Sequence, residues 1–156
     1  VNIPVLAAGG IGDGRGFLAA FALGAAGVQM GTRFMATAES DLNPWGRDQL
    51  LAMRETDTIV TRAMTGATVR CIATPEITTY EAALSRNAPD AELSPLVRAI
   101  RASRHADDKS ARRQSAAGQV AGLIHDVPTV KVLIDRILAD AASLASRLPS
   151  AAAVNA

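Results

Sequence analysis

AAGGIGDGRG (residues 7–16) and, after a helical interval, GVQMGTRF (residues 27–34) decide how the chain folds. Residues 5–8 are a short apolar run ending in Gly9 and Gly10, the pattern of a buried parallel strand stopped by glycines. Residues 11–16 form a glycine-rich loop. A helix is expected from about residue 14 to 23, with Phe17, Leu18, Phe21 and Ala22 on one face and Gly24 as its stop. Residues 27–30 read as a second short strand, and Gly31 opens another turn. Strand, glycine turn, helix and strand in about 30 residues make a βαβ unit.

The same glycines carry the chemistry. Gly9 and Gly10 let backbone come close to a ligand, because no Cβ blocks the approach. Amides there and at the next helix start can face an anion, helped by the helix dipole. The second strand ends in Gly31 and Thr32, another open approach plus a hydroxyl. In barrels of eight parallel strands, the loops after strands seven and eight commonly hold a phosphate. Singly, each glycine could only shape a turn; jointly they favour a phosphate site. The run is not the dinucleotide fingerprint, since the spacing after GIGDGRG does not give G-x-G-x-x-G and no acid-tipped second strand follows.

Composition narrows the function classes. Hydrophobic residues are 49% and charged residues 20% of 156, enough to bury a core. Aromatics are 3%, too few for a base-stacking platform, and the net charge of +1 gives no reason to expect nucleic acid or an anionic membrane. No secretory signal or bilayer-spanning run is seen. Cys71 is the single cysteine, so no intrachain disulfide or zinc-type cluster can form, and a cytoplasmic setting is the default. It reads as a small buried residue rather than a nucleophile, with no histidine partner in view. The first residue is Val1 and the strand pattern starts at once, which suggests that further chain precedes it.

Downstream, residues 48–54 are expected to be helical. Residues 58–61 and 67–70 are β-rich runs around Met64, Thr65 and Gly66, a hairpin outside the main sheet. Pro89 and Pro95 act as breakers. Residues 104–115 are a solvated polar stretch in which Arg104, Arg112 and Arg113 make a soluble basic face. Residues 128–148 form an amphipathic helix with Pro128 in its first turn and Val130, Leu133, Ile134, Ile137, Leu138, Ala141, Leu144 and Leu148 on its apolar side. Asp13 and Arg15 read as a solvated loop, with a salt bridge or cap as the alternative. Trp45 packs a loop.

IPVLAAGGIGDGRGFLAAFALGAAGVQMGTRF (3–34) resembles the stretch that ends the barrel in the nitronate monooxygenase (2-nitropropane dioxygenase-like) family, and the related flavin-dependent enoyl-ACP reductases share it. The resemblance continues more loosely through DTIVTRAMTGATVR (57–70) and AGQVAGLIHDVPTVKVLIDRI (117–137). It implies an α/β fold: the C-terminal part of an FMN-binding TIM (β/α)₈ barrel with a helical extension. Residues 1–75 would hold the last two barrel strands, the phosphate site and the β-rich segment; 76–126 the extension; 127–148 a closing helix; and 149–156 a frayed tail. By the same resemblance Gly10, Gln29, Met30, Gly31 and Thr32 contact the phosphate and ribityl chain of non-covalent FMN, with Gly9 adjacent. Gly118 and Gln119 also match a family pattern.

The family's reaction is oxidation of small alkyl nitronates with O₂. The family's catalytic histidine lies in a loop upstream of this segment. His105 and His125, the only histidines here, lack its context and read as surface or helix-end residues. The catalytic residues of this chain are therefore left unknown. Two other functions stay open: an enoyl-ACP reductase of the same fold, and a non-catalytic remnant of a barrel.

Overall fold

The computed structural model describes residues 1–104 and 115–148. In order, the elements are β1 (Leu6–Ala8), α1 (Gly14–Ala22), β2 (Gly27–Gln29), α2 (Thr32–Met35), α3 (Pro44–Ala52), β3 (Thr58–Thr61), β4 (Val69–Ile72), α4 (Pro75–Ser85), α5 (Asp90–Arg104), a 3₁₀ turn at Gln119–Leu123, and α6 (Val130–Arg147). The fold is mixed α/β and rich in helix.

β1 and β2 pair in parallel, Leu6 with Gly27, Ala7 with Val28 and Ala8 with Gln29. A parallel pair needs a crossover, and α1 supplies it. Asp13 starts α1 by accepting hydrogen bonds from the amides of Arg15 and Gly16, both at 3.0 Å. The expectation that the first strand is buried needs correction: Val5 is 49% and Leu6 61% exposed. Among the described residues the parallel sheet has two strands, and these side chains stay open to solvent.

α1 packs mainly against α6. Leu133, Ile137 and Ala141 recur every fourth residue on the buried side of α6, while Ala20 is buried on α1. Only part of the apolar side expected for this helix is covered, since Ile134, Leu138 and Leu148 are exposed. The two helices come very close at Gly14, where a Cβ would lie 2.6 Å from Asp140 Cβ and 2.8 Å from the Ala141 amide nitrogen.

β3 and β4 form the expected antiparallel pair, Thr58 facing Ile72 and Thr61 facing Val69. The chain returns beside β4: the Ile72 amide donates to Ser115, the Ala117 amide to Arg70, and Cys71 bridges Ala116. β4 thereby divides two cores. Cys71 faces Ile77, Tyr80 and Ile100 on one side, and Ile72 joins Ala36, Leu50 and Ile124 on the other, the alternation that a strand imposes.

Helix starts differ from the sequence reading where caps decide them. α3 begins at Pro44, because Asn43 accepts the Gly46 amide at 2.8 Å and proline suits the first helical position. Trp45 thus sits in a helical first turn, half-buried, rather than in a loop. Thr129 caps α6 by accepting the Val132 amide, so Pro128 lies outside the helix and its carbonyl accepts the Ala38 amide. Pro95 does not break the chain; it lies within α5. His105, Arg112, Arg113 and residues 149–156 lie outside the described residues, as does the side chain of Arg104.

The α1–α6 contact is open to test. Gly14→Ala should force the helices apart and cost on the order of 1–3 kcal/mol, seen as a lower urea midpoint. Ala19→Ser, at an exposed position of α1, should move the midpoint little.

Candidate functional site

The parallel register sets the site. Because Ala8 is level with Gln29, the chain beyond β1 (Gly9, Gly10) leaves the sheet beside the chain beyond β2 (Met30, Gly31, Thr32). Gly9 and Gly10 have φ of +91° and +74°, values that side chains rarely adopt, so glycine is required at both. Gly31 has an ordinary negative φ. A Cβ built at any of the three would meet nothing within 4 Å. Gly9, Gly10, Gln29 and Gly31 are exposed, and Met30 and Thr32 half-buried. The six predicted residues are therefore collected at one end of the parallel pair.

Beside them lies a groove of about 370 Å³ lined by Gly31, Thr32, Met35, Arg70, Ala116, Ala117 and Gly118. The Thr32 hydroxyl accepts the Gly118 amide at 2.9 Å, which ties the start of α2 to the segment returning along β4. Gly118 thus supports the site, whereas Gln119 is exposed and does not line the groove. Arg70, read from sequence only as a strand residue, also lines it; its Nη1 donates to Thr58 Oγ1 at 2.9 Å. The groove joins residues far apart in the chain, and no local motif announces that.

One residue beyond Thr32, Arg33 is buried, with 3% of its side chain accessible. Its Nη2 donates to Asp126 Oδ1 at 2.8 Å and its Nη1 to the Asp126 carbonyl at 3.3 Å, while Arg136 Nη1 donates to Asp126 Oδ2 at 2.5 Å. Burial pulls the Arg33 guanidinium below its usual value, opposed by Asp126. Hydrogen bonding from Arg136 holds the Asp126 carboxyl below the ordinary carboxylate range, against a smaller upward push from burial. This network fixes α2, and with it Gly31 and Thr32, to the start of α6.

Other candidates have different roles. Asp13 both caps α1 and binds Arg15, Oδ2 accepting from Nε at 2.8 Å and from Nη2 at 2.6 Å, so the solvated-loop reading gives way to its alternative. Burial pushes the Asp13 carboxyl up, but the bonds from Arg15 and the Gly16 amide together hold it below its usual value. The amides of Arg15 and Gly16 are thus engaged by a carboxylate, which corrects the expectation that the α1 start faces an anion. His125 is exposed before α6 and does not line the groove. Cys71 is fully buried with its thiol pushed up to about 11, chiefly by burial and then by Glu81, which makes it a poor nucleophile at neutral pH. Among the described residues there is no metal-ligating cluster of histidine, cysteine and carboxylate side chains, and no helix long and apolar enough to cross a membrane.

The family model described as nitronate monooxygenase matches residues 1–140. The chain belongs to the nitronate monooxygenase family. The "Probable nitronate monooxygenase" of Staphylococcus aureus (strain JH9) is 53% identical over 72 residues, 46% of this chain and 20% of that protein. FabK from Thermotoga maritima superposes with a TM-score of 0.78 at 38% identity over 94% of this chain and 47% of its own. Nitroalkane oxidase from Streptomyces ansochromogenes gives 0.71 at 29% identity over 95% of this chain and 42% of its own. This nitronate monooxygenase-family chain spans about half the length of those solved structures and aligns with a fifth of the Staphylococcus aureus protein.

The Asp126 network sets an acid sensitivity. A carboxyl held low in the folded state stabilises above its unfolded value, about 4, and that contribution fades as pH falls through the lower folded value. Asp126→Asn should therefore lower the thermal midpoint at neutral pH, by about 1–2 kcal/mol of stability given the partly exposed carboxylate. The deficit should shrink as pH falls below the ordinary carboxylate value of about 4. Melting curves across this range check it, and an equal deficit at every pH would refute the ionic origin.

Proposed function

We propose that this chain carries the phosphate side of the cofactor site of an FMN-dependent (β/α)₈-barrel oxidoreductase that oxidises alkyl nitronates with O₂. The observation that carries this reading is the parallel register of β1 and β2, which brings Gly9 and Gly10 beside Gly31 with open space over all three glycines. Open backbone of this kind suits a phosphate, because no Cβ blocks its close approach. In this reading Gly9, Gly10, Gln29, Met30, Gly31 and Thr32 hold the phosphate and ribityl chain. Bound there, FMN supplies the electron transfer and the O₂ chemistry.

The residues of this chain bind and orient. Among the described residues no histidine lines the groove, and the reading assigns substrate activation to a base outside this chain. β1 and β2 act as the last two strands of the barrel, whose continuation would cover Val5 and Leu6. α4 and α5 form the helical extension, and α6 closes the outer layer. A cytoplasmic setting suits the single buried thiol.

Residues 3–34 support one rival equally, a flavin-dependent enoyl-ACP reductase of the same fold, since the resemblance there is shared. NADH added anaerobically to the flavin-loaded whole protein separates the two: flavin reduction at a catalytic rate favours the reductase, and O₂ uptake with an alkyl nitronate favours the monooxygenase.

Gly31→Val places a side chain in space that nothing else fills. It should leave the thermal midpoint nearly unchanged while lowering FMN retained per chain. Full FMN retention in this variant would count against the site. Residues 1–156 alone should retain FMN well below one per chain and turn over no nitronate, measured by flavin absorbance and O₂ uptake. Stoichiometric flavin with turnover would place the base within these residues.

A further inference from the structure

We propose that Arg70 completes the flavin-phosphate site, providing the cation that neutralises the phosphate dianion beside Gly31 and Thr32; this rests on the flavin reading above. A phosphate monoester carries roughly −1.5 to −2 charge at neutral pH, and some source of positive potential must offset its desolvation. At this end of the sheet, most such sources are already committed. The α1 start is capped by the Asp13 carboxylate. α2 is a single turn of four residues, too short for a useful dipole. Arg15 is clasped by Asp13. Arg33 is buried against Asp126, which also holds Arg136.

Arg70 stands apart from these. It is half-buried and lines the same groove as Gly31, Thr32 and Gly118. Among the described residues it forms no ion pair, and its one side-chain hydrogen bond goes to the neutral hydroxyl of Thr58. Its position is well defined, because β4 pairs with β3 and the Arg70 carbonyl accepts the Ala117 amide. The bond to Thr58 orients the guanidinium without compensating its charge. The rest of the groove wall is mainly apolar (Met35, Ala116, Ala117), which weakens solvent screening of a charge held there. A guanidinium fork matches phosphate oxygens in geometry as well as sign. The cation therefore comes from the antiparallel hairpin, while the glycines come from the parallel unit.

The test compares FMN with riboflavin, which lacks the phosphate. Flavin-free whole protein is titrated with each, following quenching of flavin fluorescence, for the unaltered protein, Arg70→Gln and Arg70→Lys. The unaltered protein should bind FMN far more tightly than riboflavin, and inorganic phosphate should compete with FMN. Arg70→Gln should weaken FMN by about ten- to hundredfold, leave riboflavin unchanged and lose the phosphate competition; Arg70→Lys should restore part of the preference. An undiminished FMN preference in Arg70→Gln overturns the proposal, as does an equal loss of both flavins, which would mark Arg70 as structural. If the unaltered protein itself shows no preference for FMN, the flavin-phosphate reading fails and the Arg70 assignment with it.

Discussion

Two strands so close in sequence cannot lie parallel unless a crossover carries the chain back, and the crossover must find a surface to pack on. Here α1 is the crossover and α6, more than a hundred residues later, is the surface. The approach at Gly14 is close enough to exclude a methyl group, so the position of α1 relative to β1 and β2 is tied to α6. α6 is in turn joined to α2 through Asp126, Arg33 and Arg136. The turn at Gly31 and Thr32 is thus held from both directions: by the strand before it, and by the helix after it through a network partly withdrawn from water.

This arrangement explains why the sequence revealed the strand ends and not their support. Glycine at a strand end and apolar spacing along a short helix are local signals, and the βαβ unit was legible from residues 5–31 alone. The hairpin was legible for the same reason, although its second strand lies two residues later than the β-rich run suggested, because Ile72 pairs with Thr58. The helix starts at Pro44 and Val130 were missed although their signals are local: an asparagine before a proline, and a threonine three residues before the amide it caps. The Arg33–Asp126 contact spans 93 positions, and the Arg70 groove joins three separate segments. Neither leaves a periodicity or spacing to read. Burial was misjudged on β1 because an apolar strand reports what it is suited to pack against, not what is present beside it.

Charge placement follows a similar logic. A glycine-rich loop leading into a helix invites the assumption that the helix start binds the anion. Asp13 prevents that here, since its carboxylate takes the amides of Arg15 and Gly16 and adds negative charge where the dipole is positive. A capping aspartate and an anion site at one helix start are competing uses of the same donors. The open glycines, by contrast, offer backbone and volume but no net charge. In the proposed site, shape and charge come from different parts of the fold, the first from the parallel unit and the second from the hairpin.

That division bears on how the site depends on its surroundings. The open glycines rest on the β1–β2 register, which the α1–α6 contact supports, and Gly31 also on the Asp126 network. The exposed apolar side chains at Val5 and Leu6 on the strand, and at Ile134 and Leu138 on α6, lie on surfaces suited to further packing, so the elements here have more apolar area than they bury among themselves. Elements that covered those faces would stiffen β1 and α6, and through α6 the Asp126 network and the start of α2. If the proposed phosphate site is present, its affinity should respond to contacts made well away from Gly31, through the helix that Asp126 and Arg136 connect to it.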